Sequence, residues 1–356
     1  MPQSTMETTE QPLIFRAPPE LKQFEFEGVI RGALAQANRR SIADIRGRAC
    51  VFDLSKCQWY DLGCLLWLLT LLHKLKRDQS ELRLLLPDLS TPKMENLWDF
   101  LVRWRFFDAL RSCVDDPVNL LRPEQLALAA RPSKYAPAIG HDEFGDETLL
   151  YSSKLLEITT IPVSAEQNKP VDEFLVRFND KLIVGALSGL CGWNPLLTKQ
   201  FVQHVVGEGL HNSVMHAGGT FSLVGMRRDK RNLTIAIADN GVGIPSVLRA
   251  ALAQNSNLRD VLSSSDADLI KYFTDPQLIM DSRWISLSVQ RGVSSRQERK
   301  GLGLYYLKST VLSAGGEVRI RSGTACVDFS QSGDTVKDGM TESPGTMMRI
   351  RTPLKV

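Results

Sequence analysis

Residues 232–244 read NLTIAIADNGVGI, a strand-like apolar run that ends in a carboxylate, an amide and two glycines one residue apart. Asp-Asn-Gly is also an ordinary way to turn a chain, because Gly and Asn tolerate positive φ at little cost. The stretch therefore gains meaning only from its companions. Asp239 stands at the end of the strand, and Gly241 and Gly243 allow a planar ligand or a phosphate to approach the backbone closely.

Thirty residues upstream, VVGEGLHNSVMHAG places Glu208, Asn212 and His216 four apart, so a helix projects all three from one face. Val202, Val206 and Leu210 form an opposite stripe suited to packing on a sheet. A third element, RKGLGLYYLKSTV, sets Gly301-Leu302-Gly303-Leu304 before an apolar helix, after Arg299 and Lys300. A glycine turn that feeds a helix N-terminus presents free amides and the positive end of the dipole to an anion. The fourth, SPGTMMRIRTP, puts Thr346 at the start of the last strand. Each has a plain structural alternative: a solvated helix face, simple glycine packing, a basic turn. The fixed order of all four is what separates them from chance.

Length sets the frame for these motifs. A chain of 356 residues suggests two domains, and 43% hydrophobic with 23% charged residues describes an ordinary globular protein. Forty-three basic against forty acidic residues leave +3, too little to mark a dedicated nucleic-acid binder. The six cysteines, at 50, 57, 64, 113, 191 and 326, form no CxxC pair and have no histidine at zinc spacing, so reduced, buried thiols are expected. The opening MPQSTMETTEQP lacks the basic start and apolar core of a signal peptide. The most apolar run, LGCLLWLLTLL at 62–72, would span ~16 Å as a helix, about half a bilayer core. A soluble, cytoplasmic protein without membrane attachment is expected.

From about 13 to 115 the pattern predicts a small α/β unit. Its parts are strands at 49–55 and 81–87, a helix through the 62–72 run, and one amphipathic helix from Pro92 to Leu110. Residues 116–148 change to Pro, Ala, Gly and charge and are expected as a linker. From 149 to 356 a second domain is expected. Its strands are LLEITTIPV, FSLVGM, NLTIAIAD, GEVRIRS and TMMRIRTP, and one long helix runs from Pro195 past Met215. Between Pro245 and Lys300 about fifty-five residues form an insertion too long for an idle loop. It is expected as a partly ordered lid, helical at SVLRAALAQ and DADLIKYF, and broken at SSSD and GVSSRQERK.

The order of the four motifs resembles the GHKL ATPase superfamily, shared by gyrase, MutL, a heat-shock chaperone and the histidine kinases, over residues 150 to 356. The resemblance implies an α/β fold, namely an α+β two-layer sandwich of the Bergerat type. It also implies ATP and magnesium as cofactors. By residue, it implies that Asp239 accepts the adenine amino group, that Thr346 shares this contact, that Asn212 ligates magnesium, and that Glu208 activates water in hydrolysing members. Gly241 and Gly243 would belong to the nucleotide site, with Lys300, Gly301, Leu302, Gly303 and Leu304 around the phosphates. This chain departs from the pattern with Arg299 where a further Gly is common and Ser213 where Ala is usual. No P-loop motif is present, and none of the five histidines sits in a phosphoacceptor context, so a histidine autokinase is not expected.

Glu208, Asn212 and His216-Ala217 are most similar to the anti-sigma-factor serine kinases. The first unit resembles a STAS domain, the fold of anti-anti-sigma factors, whose acceptor loop is here Asp61-Leu62-Gly63-Cys64. No hydroxyl stands at the acceptor position, so phosphorylation there is excluded by chemistry. The resemblance implies a protein partner, STAS-like or another regulator, and allows a homodimer, since related ATPases often dimerise. Hydrolysis, transfer to a serine or threonine, and nucleotide sensing without turnover remain open at this point, because all three use the same pocket.

Overall fold

Three short strands, Leu13–Arg16 (β1), Cys50–Asp53 (β2) and Leu82–Leu85 (β3), pair in parallel with β2 in the middle. Parallel neighbours need crossover connections, and the helices Gln23–Gln36 (α1) and Leu62–Arg77 (α2) provide them. The computed structural model describes residues 11–88, 91–114, 120–130, 139–141, 147–149, 155–164, 169–178, 195–215, 218–229, 231–265, 271, 273–296 and 301–354. Expectations for His216, Ala217, Cys191, Arg299 and Lys300 lie outside these residues.

Helix α2 carries the most apolar run of the chain, and the fold explains why. Asp61 caps it by accepting the Cys64 N–H at 3.3 Å, and Lys74, Lys76 and Arg77 close its last turn against the dipole. Between these ends it is buried almost all round, from Leu62 to Leu72 without a gap. A helix apolar on every side is one packed on every side. Here α2 lies between the parallel sheet and a second, larger sheet. Among the described residues no helix is long and apolar enough to cross a membrane.

The single helix expected from Pro92 to Leu110 is two: Pro92–Arg103 (α3) and Phe106–Cys113 (α4). Arg105 takes φ 51° between them. The break allows Trp104, Phe106 and Phe107 all to be buried, which one straight helix cannot do for three positions spread over its circumference. A further helix, Pro123–Ala129 (α5), falls within the stretch expected as a linker. Its Gln125 donates to the Leu86 carbonyl at 3.0 Å, so residues near 125 lie against the first unit.

The larger sheet has seven antiparallel strands: Leu155–Pro162 (β4), Phe221–Arg228 (β5), Asn232–Asp239 (β6), Glu317–Ser322 (β7), Ala325–Phe329 (β8), Thr335–Lys337 (β9) and Thr346–Pro353 (β10). Their order across the sheet is β9-β8-β7-β10-β6-β5-β4. Strands β8 and β9 are additional to the sequence reading. One face packs on the helices Lys169–Phe178 (α6), Pro195–Phe201 (α7), Glu208–Met215 (α8) and Gly303–Ser313, through Val206, Leu210, Ile235, Ile237, Ile320 and Met348. The other packs on α2 through Phe221, Leu223, Ala236, Ala238 and Met347. Strict alternation along β6 and β10 sends neighbouring residues to opposite layers. The small residues have a reason: Ala236 faces Gly225 across the strands, and a Cβ on Gly225 would stand 3.0 Å from Leu62. Only small side chains there let α2 approach. The chain thus builds a mixed α/β architecture in which the larger sheet is covered on both sides.

One ion pair spans the contact between the two units. Arg321 of β7 is wholly buried, its Nη2 lies 3.4 Å from Glu27 Oε2 of α1, and it also donates to the carbonyls of Thr341 and Gly323. Glu27 Oε1 in turn accepts the Thr341 N–H at 2.5 Å. Removing one partner of a buried pair strands the other charge, a loss of about 3–5 kcal/mol. Glu27→Ala is therefore expected to lower the thermal midpoint sharply and Glu27→Gln less so. Equal midpoints for wild type and Glu27→Ala in a melting series would refute this.

The five described cysteines are free and buried, and burial pushes the thiols of Cys57 and Cys113 up to about 12. They are packing residues.

Candidate functional site

Three strands of the larger sheet end in the same way. On the face toward the helices, β6 runs Ile235, Ile237, Asp239; β10 runs Ile350, Met348, Thr346; β7 runs Val318, Ile320, Ser322. Each continues its buried apolar series with a polar residue, and the register puts Ser322 opposite Thr346. Polar groups are thereby brought together at one end of the core.

Asp239 is 3% exposed. Its Oδ1 accepts the N–H groups of Gly241 at 2.9 Å and Thr346 at 3.2 Å. Among the described residues its Oδ2 takes no hydrogen bond. Burial pushes this carboxyl up to about 7, although the two amide bonds favour its charged form. Gly345, at φ +84°, backs directly onto it, and a Cβ there would collide with the Asp239 carbonyl. Ser322 Oγ lies 2.9 Å from Thr346 Oγ1 and accepts the Ile244 N–H at 2.9 Å.

The remaining letters of the Asp-Asn-Gly turn divide their work. Asn240 points away: its Oδ1 accepts the N–H groups of Thr220 and Phe221 and its Nδ2 donates to Thr220 Oγ1. It clamps the turn to the start of β5. Gly241 gives its amide to Asp239, while Gly243, at φ +83°, lines the cavity.

The facing wall belongs to α8. The expected continuous helix instead carries a π segment, Val202–Gly207, between α7 and α8. Such a segment inserts one residue and re-phases the turns beyond it. The buried set becomes Val202, Val205, Val206, Leu210 and Val214, and Glu208 and Asn212 stay four apart within the regular turn. Both are half-buried and both line the cavity. Asn212 Nδ2 donates to the Glu208 carbonyl at 2.7 Å, which leaves Oδ1 as the amide atom without a described protein partner.

The glycine turn closes the third side. Gly301, at φ +59°, gives its carbonyl to Gly292 N–H at 3.0 Å, and a Cβ on it would lie 2.6 Å from the Gly292 and Val293 backbone. Gly303 starts its helix so near to α8 that a Cβ would lie 2.5 Å from Glu208 Oε2 and 3.2 Å from Asn212 Nδ2. Gly301, Leu302, Gly303 and Leu304 all line the cavity. The two glycines predict different losses. Gly301→Ala meets rigid backbone in a left-handed conformation and is expected to destabilise the fold by about 1–3 kcal/mol. Gly303→Ala meets only a movable side-chain end, so it should leave the thermal midpoint nearly unchanged. Matched melting curves separate the two; equal melting losses would count against this assignment.

The insertion is a folded subdomain with its own core. Helices Ile244–Leu252 (α9), Ser256–Ser265 (α10) and Asp281–Ser288 (α11) pack through Leu248, Leu252, Leu262, Ile279, Trp284 and Leu287. Helix α9 agrees with the expected SVLRAALAQ helix. Helix α10 runs into the expected SSSD break, where Ser263 and Ser264 bond back to the carbonyls of Arg259 and Asp260. DADLIKYF lies largely outside the described residues, and α11 is additional to the sequence reading. Asp281 ties the subdomain to the β7–β8 turn, accepting from Arg249 at 2.5 Å and from the Thr324 N–H at 2.6 Å. Arg296 donates to the Met215 carbonyl at 2.7 Å, joining the subdomain to the end of α8.

These walls enclose a cavity of about 260 Å³. It gathers Glu208, Asn212, Asp239, Gly243, Gly301, Leu302, Gly303, Leu304 and Thr346 from four separate parts of the sequence. Ser322, which bonds the lining residue Thr346, and the subdomain residues Ser288, Val293 and Ser294, which line the cavity, were not singled out from sequence. The signal for Ser322 was present as a hydroxyl continuing an inward apolar register. The subdomain residues had none, since only the folded helices bring them to the opening. Among the described residues no cluster of three or more His, Cys, Asp or Glu side chains suits a metal ion.

No curated protein shows a significant match to the chain. Residues 198–356, just under half of its length, match the family model described as Histidine kinase-, DNA gyrase B-, and HSP90-like ATPase. The cavity, with its acid-ended strand, helical amide and glycine turn, falls within that stretch, and ATP binding is what the family implies for it. Residues 198–356 of this chain are a GHKL-type ATPase domain.

Proposed function

We propose that the chain is a magnesium-dependent, ATP-binding regulatory protein that hydrolyses ATP or transfers its terminal phosphoryl group to a serine or threonine of a partner protein. The observation that carries this reading is that one cavity gathers Asp239 and Thr346, whose polar groups suit a base, with Glu208, Asn212 and Gly303, which suit a phosphate chain. Asp239 Oδ2 is placed to accept from an exocyclic amine. The first-turn amides after Gly301 and Gly303 suit an anion. Asn212 fits a magnesium ligand because its unpartnered atom is an oxygen, the donor this hard ion prefers. A magnesium ion held there by Asn212 would supply charge neutralisation for a phosphate chain. Glu208, half-buried beside the glycine turn, is the base that takes the proton from water or from the acceptor hydroxyl.

The same proposal assigns 1–115 to a STAS-like interaction unit, 116–148 to a connecting segment and 149–356 to the ATPase domain with its lid at about 245–300. A protein partner and a cytoplasmic location belong to this reading. The test is incubation of the full chain with magnesium and labelled ATP. Wild type should release phosphate or label an added partner, and Glu208→Ala should cut this turnover by about 10²–10⁴ while holding nucleotide with unchanged affinity. Turnover in Glu208→Ala equal to wild type overturns the assignment of the base. Tight binding with no turnover in either form would make the site a sensor.

A further inference from the structure

We infer that Ser322 sets the direction of the Thr346 hydroxyl proton and so makes the cavity discriminate 6-aminopurine from 6-oxopurine nucleotides, an inference that rests on the nucleotide reading of the same cavity. Ser322 is fully buried, and its Oγ already accepts the Ile244 N–H at 2.9 Å. Its own proton needs an acceptor, and the one described is Thr346 Oγ1 at 2.9 Å. Were Thr346 the donor instead, the Ser322 proton would be stranded in a dry interior, which costs free energy without compensation. Ser322 therefore donates and Thr346 receives.

The consequence lies one bond further on. With its oxygen engaged by Ser322, Thr346 has its own proton left to give, and it lines the cavity together with Asp239. No hydrogen bond joins its hydroxyl to the carboxylate, so the proton is available to a ligand. The cavity then offers an acceptor, Asp239 Oδ2, beside a donor, the Thr346 hydroxyl. The 6-amino group and N1 of adenine present the complementary donor and acceptor. The 6-oxo group and N1–H of hypoxanthine or guanine present the reverse. A site built on hydrogen bonds rejects the mismatched analogue because its own polar groups are left unpaired. Ser322 is a positioning residue, acting through Thr346.

The experiment measures dissociation constants of the full chain for ATP and ITP, which differ at position 6 of the base and in the proton this puts on N1. Wild type should favour ATP by about 100-fold or more. Ser322→Ala frees the Thr346 hydroxyl to turn, and the ratio should fall to about tenfold or less. Thr346→Ser, which keeps the receiving oxygen and the proton, should retain the wild-type ratio. Should Ser322→Ala not fold, Ser322→Cys retains an acceptor for Ile244 with only a weak donor, and the same narrowing is expected of it. An unchanged ratio in the folded Ser322 variant overturns the inference. Equal wild-type binding of ATP and ITP overturns it alone, whereas a wild type that binds neither overturns the nucleotide reading as well.

Discussion

Asp239→Asn should make this protein more stable at pH 8 and unable to hold an adenine nucleotide. The carboxyl is pushed from its usual 3.8 to about 7 by burial at the end of β6. In the unfolded chain it ionises near its usual value, so between the two values the folded state holds a proton that the unfolded state has lost. Stability then falls as pH rises, by 1.36 kcal/mol per unit, a total on the order of 4 kcal/mol that is fully felt above the raised value and absent in acid. Asparagine keeps an oxygen for the Gly241 and Thr346 amides and carries no charge to bury. Its melting midpoint should exceed wild type at pH 8 and converge with it near pH 4. The same change replaces the free acceptor with a donor, so ATP affinity should drop by two orders of magnitude or more. Wild-type affinity for ATP should itself rise between pH 6 and 8, as the acceptor becomes charged. A variant less stable than wild type at pH 8, or one that still binds ATP, would contradict this account.

The legibility of the letters obeys the same physics. Asp239 was visible because a strand-like apolar run ends abruptly in a carboxylate, and Thr346 because it follows a glycine at the start of the last strand. Glu208 and Asn212 were visible because a spacing of four survives in any helical turn, including one that comes after the unforeseen π segment. The α/β class was legible for the same reason, and the family match supports it over residues 198–356. Other features depend on contacts that no local pattern encodes. Asn240 looks like any turn residue until the start of β5 is seen to hang from its side-chain oxygen. Helix α11 lacks a clear apolar stripe because it is packed on several sides, with Trp284 and Ile285 adjacent and both buried. The break at Arg105 is decided by where three aromatic side chains find room. The apolar length of α2 could be read as too short for a membrane, but its partner could not be read at all.

That partner carries the second large effect. A chain that starts near residue 150 should fail to give a soluble, cooperatively folded domain, although it contains the whole cavity. The sheet face opposite the cavity is covered by α2 and α4, and Ile158, Phe221, Leu223 and Met347 are each 5% exposed or less because of it. Uncovering four such side chains forfeits roughly 6–12 kcal/mol, at about 1.5–3 kcal/mol each, as much as the net stability of a typical domain. The buried Arg321 would lose Glu27 at the same time. Co-expression with residues 1–130 should restore solubility if the loss is one of covering surface; a soluble fragment with the midpoint of the whole chain would show that the face tolerates water. The arrangement has a bearing on function, because the two layers are read by alternate residues of the same strands. Thr346 and Met348 line the cavity while Met347 meets Gly63 at the start of α2, and Ser322 bonds the Thr346 hydroxyl while Arg321 holds Glu27. A shift of the first unit cannot slide Arg321 without moving Ser322. Any ligand that prefers one position of that strand must therefore bias the contact behind it, by an amount equal to its difference in affinity for the two positions.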